Sequence, residues 1–176
     1  MPNKATRMLN FLKRHLIKCS TDTKASAYLL LVRPIMDYAC AVWDPHYVTD
    51  ITTLEKIQRR AARWALSDYN YFSSVSTMLN HLKWQPLALR RKQFRLHLFY
   101  QTMYNLIGLS LPEYYLPTSR HTRQHHPLHL IIPSSNTTAY MTSFFPNTLK
   151  DWNQLPSSTI ENTDYNTFSA TLTNYL

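Results

Sequence analysis

The sequence predicts a mainly α fold: a multi-helix bundle followed by a loop-rich C-terminal extension with short helices and room for one short strand. Three observations lead there. Apolar residues recur at helical spacing through residues 1–110. The 176 residues contain one glycine, Gly108, where ordinary usage of roughly 7% would supply about twelve, and β-rich folds draw on glycine for hairpins and bulges. The hydrophobic fraction is 44%, with 13% aromatic residues, enough for an apolar core. The shortage of glycine also excludes the phosphate-cradling fingerprints of dinucleotide-binding and P-loop folds, where backbone must approach a ligand with no Cβ between.

Each element follows from local pattern. Asn3 to Lys18 places Met8, Leu9, Leu12 and Leu16 on one side of a first helix, with basic residues elsewhere round the cylinder. Ser20 or Asp22 caps a second helix running toward Trp43. Pro34 lies inside it, which predicts a kink or break between Leu31 and Ile35. Trp43-Asp44-Pro45 reads as a stop and turn. Asp50 caps a third helix through about Leu66, and a short fourth helix spans Ser74 to Leu82. Pro86 fits the first turn of a long fifth helix reaching Ile107, with Gly108 as its stop. From Leu96 to Ile107 that helix is apolar or aromatic almost all round, which predicts a central, buried place in the bundle.

Beyond Gly108 the composition changes. Residues 112–142 are rich in Pro, Ser, Thr and His, Leu128 to Ile132 is a candidate edge strand, and a linker, if present, lies near 117–127. Two weaker helices are predicted at Phe145–Leu155 and Asp164–Leu176. Charge divides at the same place. Of the 19 Lys and Arg and 10 Asp and Glu, residues 1–110 hold 16 and 6, leaving the rest of the chain near neutral. Two domains are therefore expected, a basic helical one over 1–110 and a near-neutral extension over 111–176. An excess of this kind points to a polyanionic partner for the first.

Cys19 and Cys40 form neither a disulfide framework nor a zinc spacing, which fits an intracellular, cytoplasmic or nuclear setting. The longest apolar run, Ala27 to Val32, is far short of the ~20 residues of a membrane span. The first residues lack the apolar segment of a signal peptide. Neither a membrane partner nor secretion is expected.

The third helix carries the strongest chemical signal. Lys56, Arg59, Arg60 and Arg63 fall at i, i+3, i+4 and i+7 on one face, opposite Leu54, Ile57, Ala61, Trp64 and Ala65. Such a helix buries one side and offers a row of cations on the other, the arrangement that suits phosphate recognition by guanidinium forks. An ordinary solvated face is the alternative, with only Glu55 nearby to balance four cations. A second cluster, Arg90, Arg91, Lys92 and Arg95, opens the fifth helix. Cations there oppose the macrodipole, and an external anion would relieve the conflict; a solvated helix end is the other reading.

Other clusters carry less. His121, His125, His126 and His129 lack the Cys or carboxylate partners of a zinc site, so no metal or other cofactor is expected. Trp43, Trp64, Trp84 and Trp152 sit at helical or helix-end positions, which favours core packing over base stacking. The acids Asp22, Asp37, Asp44, Asp50 and Asp68 are scattered, and no nucleophile–base motif is present, so no catalytic residue is predicted.

Taken in order, the segments Leu31-Val-Arg-Pro-Ile-Met-Asp-Tyr-Ala-Cys-Ala-Val-Trp43, Leu54-Glu-Lys-Ile-Gln-Arg-Arg-Ala-Ala-Arg63, Asp68-Tyr, Ser73-Ser-Val, Leu82-Lys-Trp-Gln-Pro-Leu and Arg90-Arg form one series. It closes with Ser143-Phe-Phe-Pro-Asn-Thr-Leu-Lys-Asp-Trp-Asn-Gln-Leu-Pro156. Over nearly the whole chain this series resembles the region just after the reverse transcriptase domain in LINE-type (non-LTR) retrotransposons of the jockey-like group. One departure is Asn147, where the family usually has Arg.

The resemblance implies a fragment. The family's parent polypeptide is an endonuclease followed by an RNA-directed DNA polymerase, whose metal-binding aspartates lie in a palm upstream of the matching region. The matching region is the helical thumb and C-terminal extension, taken to grip the template–primer duplex. Arg59-Arg60-Ala-Ala-Arg63 and Arg90-Arg91 carry over as backbone-contact positions, and no catalytic residue does. The expected partners are then the backbone of RNA or an RNA–DNA hybrid and an upstream reverse transcriptase palm, with no enzymatic activity in the isolated chain. Two alternatives remain: a protein–protein interaction module whose basic face is incidental, and a non-functional remnant of such an element.

Overall fold

A computed structural model describes residues 1–109, 111, 128–134, 136–161 and 163–176. The expected linker at 117–127 and His121, His125 and His126 lie outside these residues. Among the described residues the chain is mainly helical and has no strand. It divides into two units, Met1–Arg90 and Arg91–Leu176.

In the first unit, α1 (Pro2–His15) turns Ala5, Leu9 and Leu12 inward. Ser20 caps α2 (Thr21–Ala27) by accepting from the Thr23 N–H at 3.3 Å. Pro34 then acts as expected on the ladder but not as a break. It has no N–H to answer the carbonyl four residues back, and the chain widens into a π turn, Tyr28–Val32, in which the Arg33 N–H reaches back to the Tyr28 carbonyl. Helix continues as α3 (Arg33–Asp37), and the true interruption comes at Ala39, whose φ is 51°, before α4 (Cys40–Trp43).

The third predicted helix is α5 (Val48–Ala65), one turn-fraction longer at its start, so Asp50 stands in its first turn instead of capping it. Leu54, Ile57, Ala61, Trp64 and Ala65 are all buried, as the spacing predicts. Together with α1, the Tyr28 and Val32 pair of the π turn, and Met78 of α6 (Val75–His81), they form the core of the first unit. Tyr28 stacks on Trp84 with ring centroids 4.3 Å apart.

The long helix α7 (Leu87–Met103) begins after Pro86, whose carbonyl accepts from the Arg90 N–H. The division between the two units falls inside it, after Arg90. The reason is its second half. Leu96, Phe99 and Tyr100 share a core with Leu130, with Leu149 and Trp152 of α9 (Phe144–Trp152), with Ile160 of α10 (Ser157–Ile160), and with Phe168 and Leu172 of α11 (Tyr165–Tyr175). Tyr100 stacks on Phe168 at 4.2 Å, and Phe99 meets Trp152 edge-on at 5.0 Å. A short helix, α8 (Thr138–Met141), precedes α9 and was not predicted, nor was α10. Asp164 caps α11 by accepting from the Thr167 N–H.

Within Leu128–Ile132, where an edge strand is expected, Leu130 occupies a single bridge position. The backbone of this segment also pairs with side chains: Asn153 donates to the Leu130 carbonyl at 2.8 Å and accepts from the Leu130 N–H at 3.2 Å, while Trp152 Nε1 donates to the Leu128 carbonyl. A single asparagine amide thus bonds both the N–H and the carbonyl of one residue.

Three helices end alike without glycine. After α5, Ser67 takes a left-handed φ of 54°, its N–H bonds the Trp64 carbonyl, and the Asp68 N–H bonds the Arg63 carbonyl. Lys83 (φ 55°) after α6 and Asn105 (φ 51°) after α7 repeat this Schellman pattern. Gly108, also left-handed at φ 65°, lies past the end of α7 and is not its stop.

Candidate nucleic-acid interface

The apolar stripe of α5 is held by the core, so its opposite face must turn outward. Lys56, Arg59 and Arg60 are exposed, and Arg63 is half-buried. All four line a groove of about 340 Å³ whose other wall is the first turns of α1, Pro2, Asn3 and Thr6. Thr53 and Ile57 also line it, and no carboxylate does so among the described residues. Among the described residues none of the four cations forms an ion pair.

The acid expected to balance this row is occupied elsewhere. The Glu55 carboxylate accepts a hydrogen bond at 2.9 Å from the Ala88 N–H in the first turn of α7. There it answers an orphan backbone donor and faces the positive end of the helix dipole. The conflict between the α7 macrodipole and its basic residues is therefore relieved by this chain's own carboxylate.

Arg60 and Arg63 differ from the other two. Arg60 Nη2 donates to Asn10 Oδ1 of α1 at 3.3 Å, a long bond that leaves the guanidinium exposed. Close by, burial first and the Arg60 charge second hold the Lys13 ammonium below the ordinary lysine range, so α1 adds a cation to the field of this face. Arg63 turns to the loop after α5, donating from Nη1 to the Asn70 carbonyl at 2.8 Å and from Nη2 to the Ser73 carbonyl at 3.2 Å. It lines the groove and also braces the loop. Hydrogen bonds from the Ser73 side chain and the Asn70 N–H hold the Asp68 carboxyl below the usual range, with Arg63 adding to the effect.

The second predicted cluster does not form an outward track. Arg91 and Arg95 are 2% and 6% exposed. Lys92 Nζ and Arg95 Nη2 each lie 2.9 Å from an oxygen of Asp151 in α9, one carboxylate bridging two cations three residues apart on α7. Arg90 belongs to the first unit, where its Nη2 lies 2.8 Å from Asp37 Oδ2 and Arg33 Nε approaches the same oxygen to 3.8 Å. Of the residues expected to extend a phosphate-binding face, Lys92 and Arg95 pair with Asp151 of the chain itself, and Arg91 is buried.

The sequence reading missed the α1 wall, because which face of α1 lies against α5 is decided by long-range packing. It also missed the aromatic loop after α5, although Tyr69, Tyr71 and Phe72 in a row between polar residues were a visible signal. Of the tryptophans, Trp64, Trp84 and Trp152 are buried and Trp43 is half-buried. No group of three or more metal-ligating side chains occurs among the described residues, His129 included. Nor is any described helix long and apolar enough to cross a membrane. Compared with family models, with curated proteins and with solved structures, the chain gives no match.

Proposed function

We propose that the unit Met1–Arg90 binds the sugar-phosphate backbone of RNA or an RNA–DNA hybrid, with Lys56, Arg59 and Arg60 as phosphate contacts and Arg63 as their anchor. The groove between α1 and α5 carries this reading: three exposed cations on one rigid helix, with no carboxylate among the described residues of the lining. From Lys56 to Arg63 the helix rises ~10 Å, the axial length of about three phosphates on one strand of a duplex. Contacts of this type position a ligand without reading its sequence, so selectivity among sequences is low.

The role that fits both the groove and the resemblance in the sequence is that of a thumb-like, non-catalytic part of a LINE-type reverse transcriptase, working with a palm supplied by the rest of the polymerase. The described acids support this division of labour, since Asp37, Glu55 and Asp151 are engaged with cations or backbone of the chain. Binding of labelled duplex at two salt concentrations tests the reading. With three to four phosphates neutralised, affinity falls about 40- to 150-fold between 50 and 200 mM salt. A flat profile, or no binding, contradicts it.

A further inference from the structure

The loop between α5 and α6 presents aromatic side chains to solvent. Tyr71 is 89% exposed and Phe72 90%, with Tyr69 at 65%. Burying such rings is strongly favourable, and a slack loop would fold them down. This loop is not slack. Besides the two bonds from Arg63, the Asn70 N–H donates to Asp68 Oδ1 at 2.9 Å, the Phe72 N–H to Asn70 Oδ1 at 3.1 Å, and the Ser73 N–H to the Asn70 carbonyl at 3.3 Å. The Schellman end of α5 fixes where the loop departs. Tyr71 and Phe72 stand edge to face, centroids 5.6 Å apart and planes at 85°, so their remaining ring faces are open.

Position gives these rings a partner. Arg63 lines the basic groove and also holds the loop, so the segment that carries the rings is tied to the groove through Arg63, near where α5 stops. A ligand that places phosphates along Lys56, Arg59 and Arg60 presents bases there. We propose that Tyr71 and Phe72 form a stacking platform for unpaired nucleobases, so that this site takes single-stranded nucleic acid or a junction between duplex and single strand in preference to blunt duplex. Stacking on aromatic rings accepts every base, which matches the absence of sequence reading in the groove. In a duplex the π faces are already stacked on each other and are withheld from the rings. The inference rests on the groove's reading as a backbone site.

The test measures dissociation constants of the full chain by fluorescence anisotropy. The probes are oligo(dT) and oligo(U) of about fifteen nucleotides, a blunt duplex of similar length, and the same duplex with a single-stranded overhang. Wild type binds the single strands and the overhang duplex more tightly than the blunt one. Tyr71→Ala with Phe72→Ala weakens single-strand and overhang binding by about 5- to 100-fold and leaves blunt-duplex binding unchanged. Tyr71→Leu with Phe72→Leu, which keeps an apolar surface but removes the ring faces, behaves like the alanine pair, and Tyr71→Phe with Phe72→Tyr behaves like wild type. Salt-dependent binding that is indifferent to the alanine pair, or that the leucine pair restores, overturns the platform and leaves the groove standing. Failure of wild type to bind any of the probes overturns both.

Discussion

Glu55 of α5 accepts a hydrogen bond at 2.9 Å from the backbone N–H of Ala88. One contact settles two questions. The only acid within the basic stretch of α5 is drawn to the start of α7, and the cations on the other side of the helix are left without a neutralising partner. The same contact joins α5 to α7 within the first unit, so this carboxylate adds to the unit's stability.

Replacing Glu55 separates these effects. Glu55→Ala removes a helix cap and lowers stability by about 1 kcal/mol. It does not weaken nucleic-acid binding, because no phosphate contact is lost. Urea denaturation and anisotropy on one preparation check both halves. A loss of affinity at unchanged stability contradicts the cap assignment.

Arg95 behaves in the opposite way. It is nearly buried and sits 2.9 Å from Asp151, and breaking a buried ion pair costs roughly 3–5 kcal/mol. Because Lys92 still partners Asp151, Arg95→Ala falls near the lower end of that range. Salt dependence of binding stays that of wild type. A salt slope reduced by about one would instead restore Arg95 as a phosphate contact.

Lys83 holds a left-handed φ of 55° at the end of α6, a conformation costly for a side chain with a Cβ. Lys83→Gly keeps the Schellman hydrogen bonds and removes the strain, so stability rises by about 1 kcal/mol. Ser67 is a poorer test, since its hydroxyl also accepts from Lys24 Nζ at 2.9 Å. Thermal melts of the two variants separate the cases: Lys83→Gly gains, and Ser67→Gly loses part of its gain.

His97 lies half-buried against Tyr165 and edge-on to Phe168, and burial holds its imidazole below the ordinary histidine range. The unfolded chain therefore takes up the proton first as pH falls. Stability contributed by the neutral ring is complete above about pH 6.5 and declines below it, until the folded-state value is passed. His97→Gln removes this component. Urea midpoints from pH 5 to 8 show it as a smaller acid-side decline in the variant, and equal declines contradict it.

Elements whose pattern is local were legible in the residues. The apolar stripe of α5 and the burial of Leu96, Phe99 and Tyr100 follow from spacing at 3.6 residues per turn, and the Ser20 cap from its residue type. What escaped depends on distant partners. Lys92 and Arg95 resemble Arg59 and Arg60 in sequence, and Asp151, far along the chain, pairs with both. Leu128–Ile132 has the composition of a strand, and nothing in that composition announces its pairing with Asn153. Gly108 looked like the stop of α7 because glycine favours left-handed φ, while Asn105 reached that conformation first. Pro34 announced a disturbed ladder, and whether the helix would break or widen depended on packing around Tyr28 and Val32.

The salt slope of binding tests the central claim most directly. Log affinity of labelled duplex is measured against log salt concentration for wild type and for the triple variant Lys56→Ala, Arg59→Ala, Arg60→Ala. The account predicts a slope shallower by about three in the triple variant, with weaker binding throughout the low-salt range. An identical slope and affinity for the two proteins would show that the α5 row is solvated surface and that the groove does not hold phosphate.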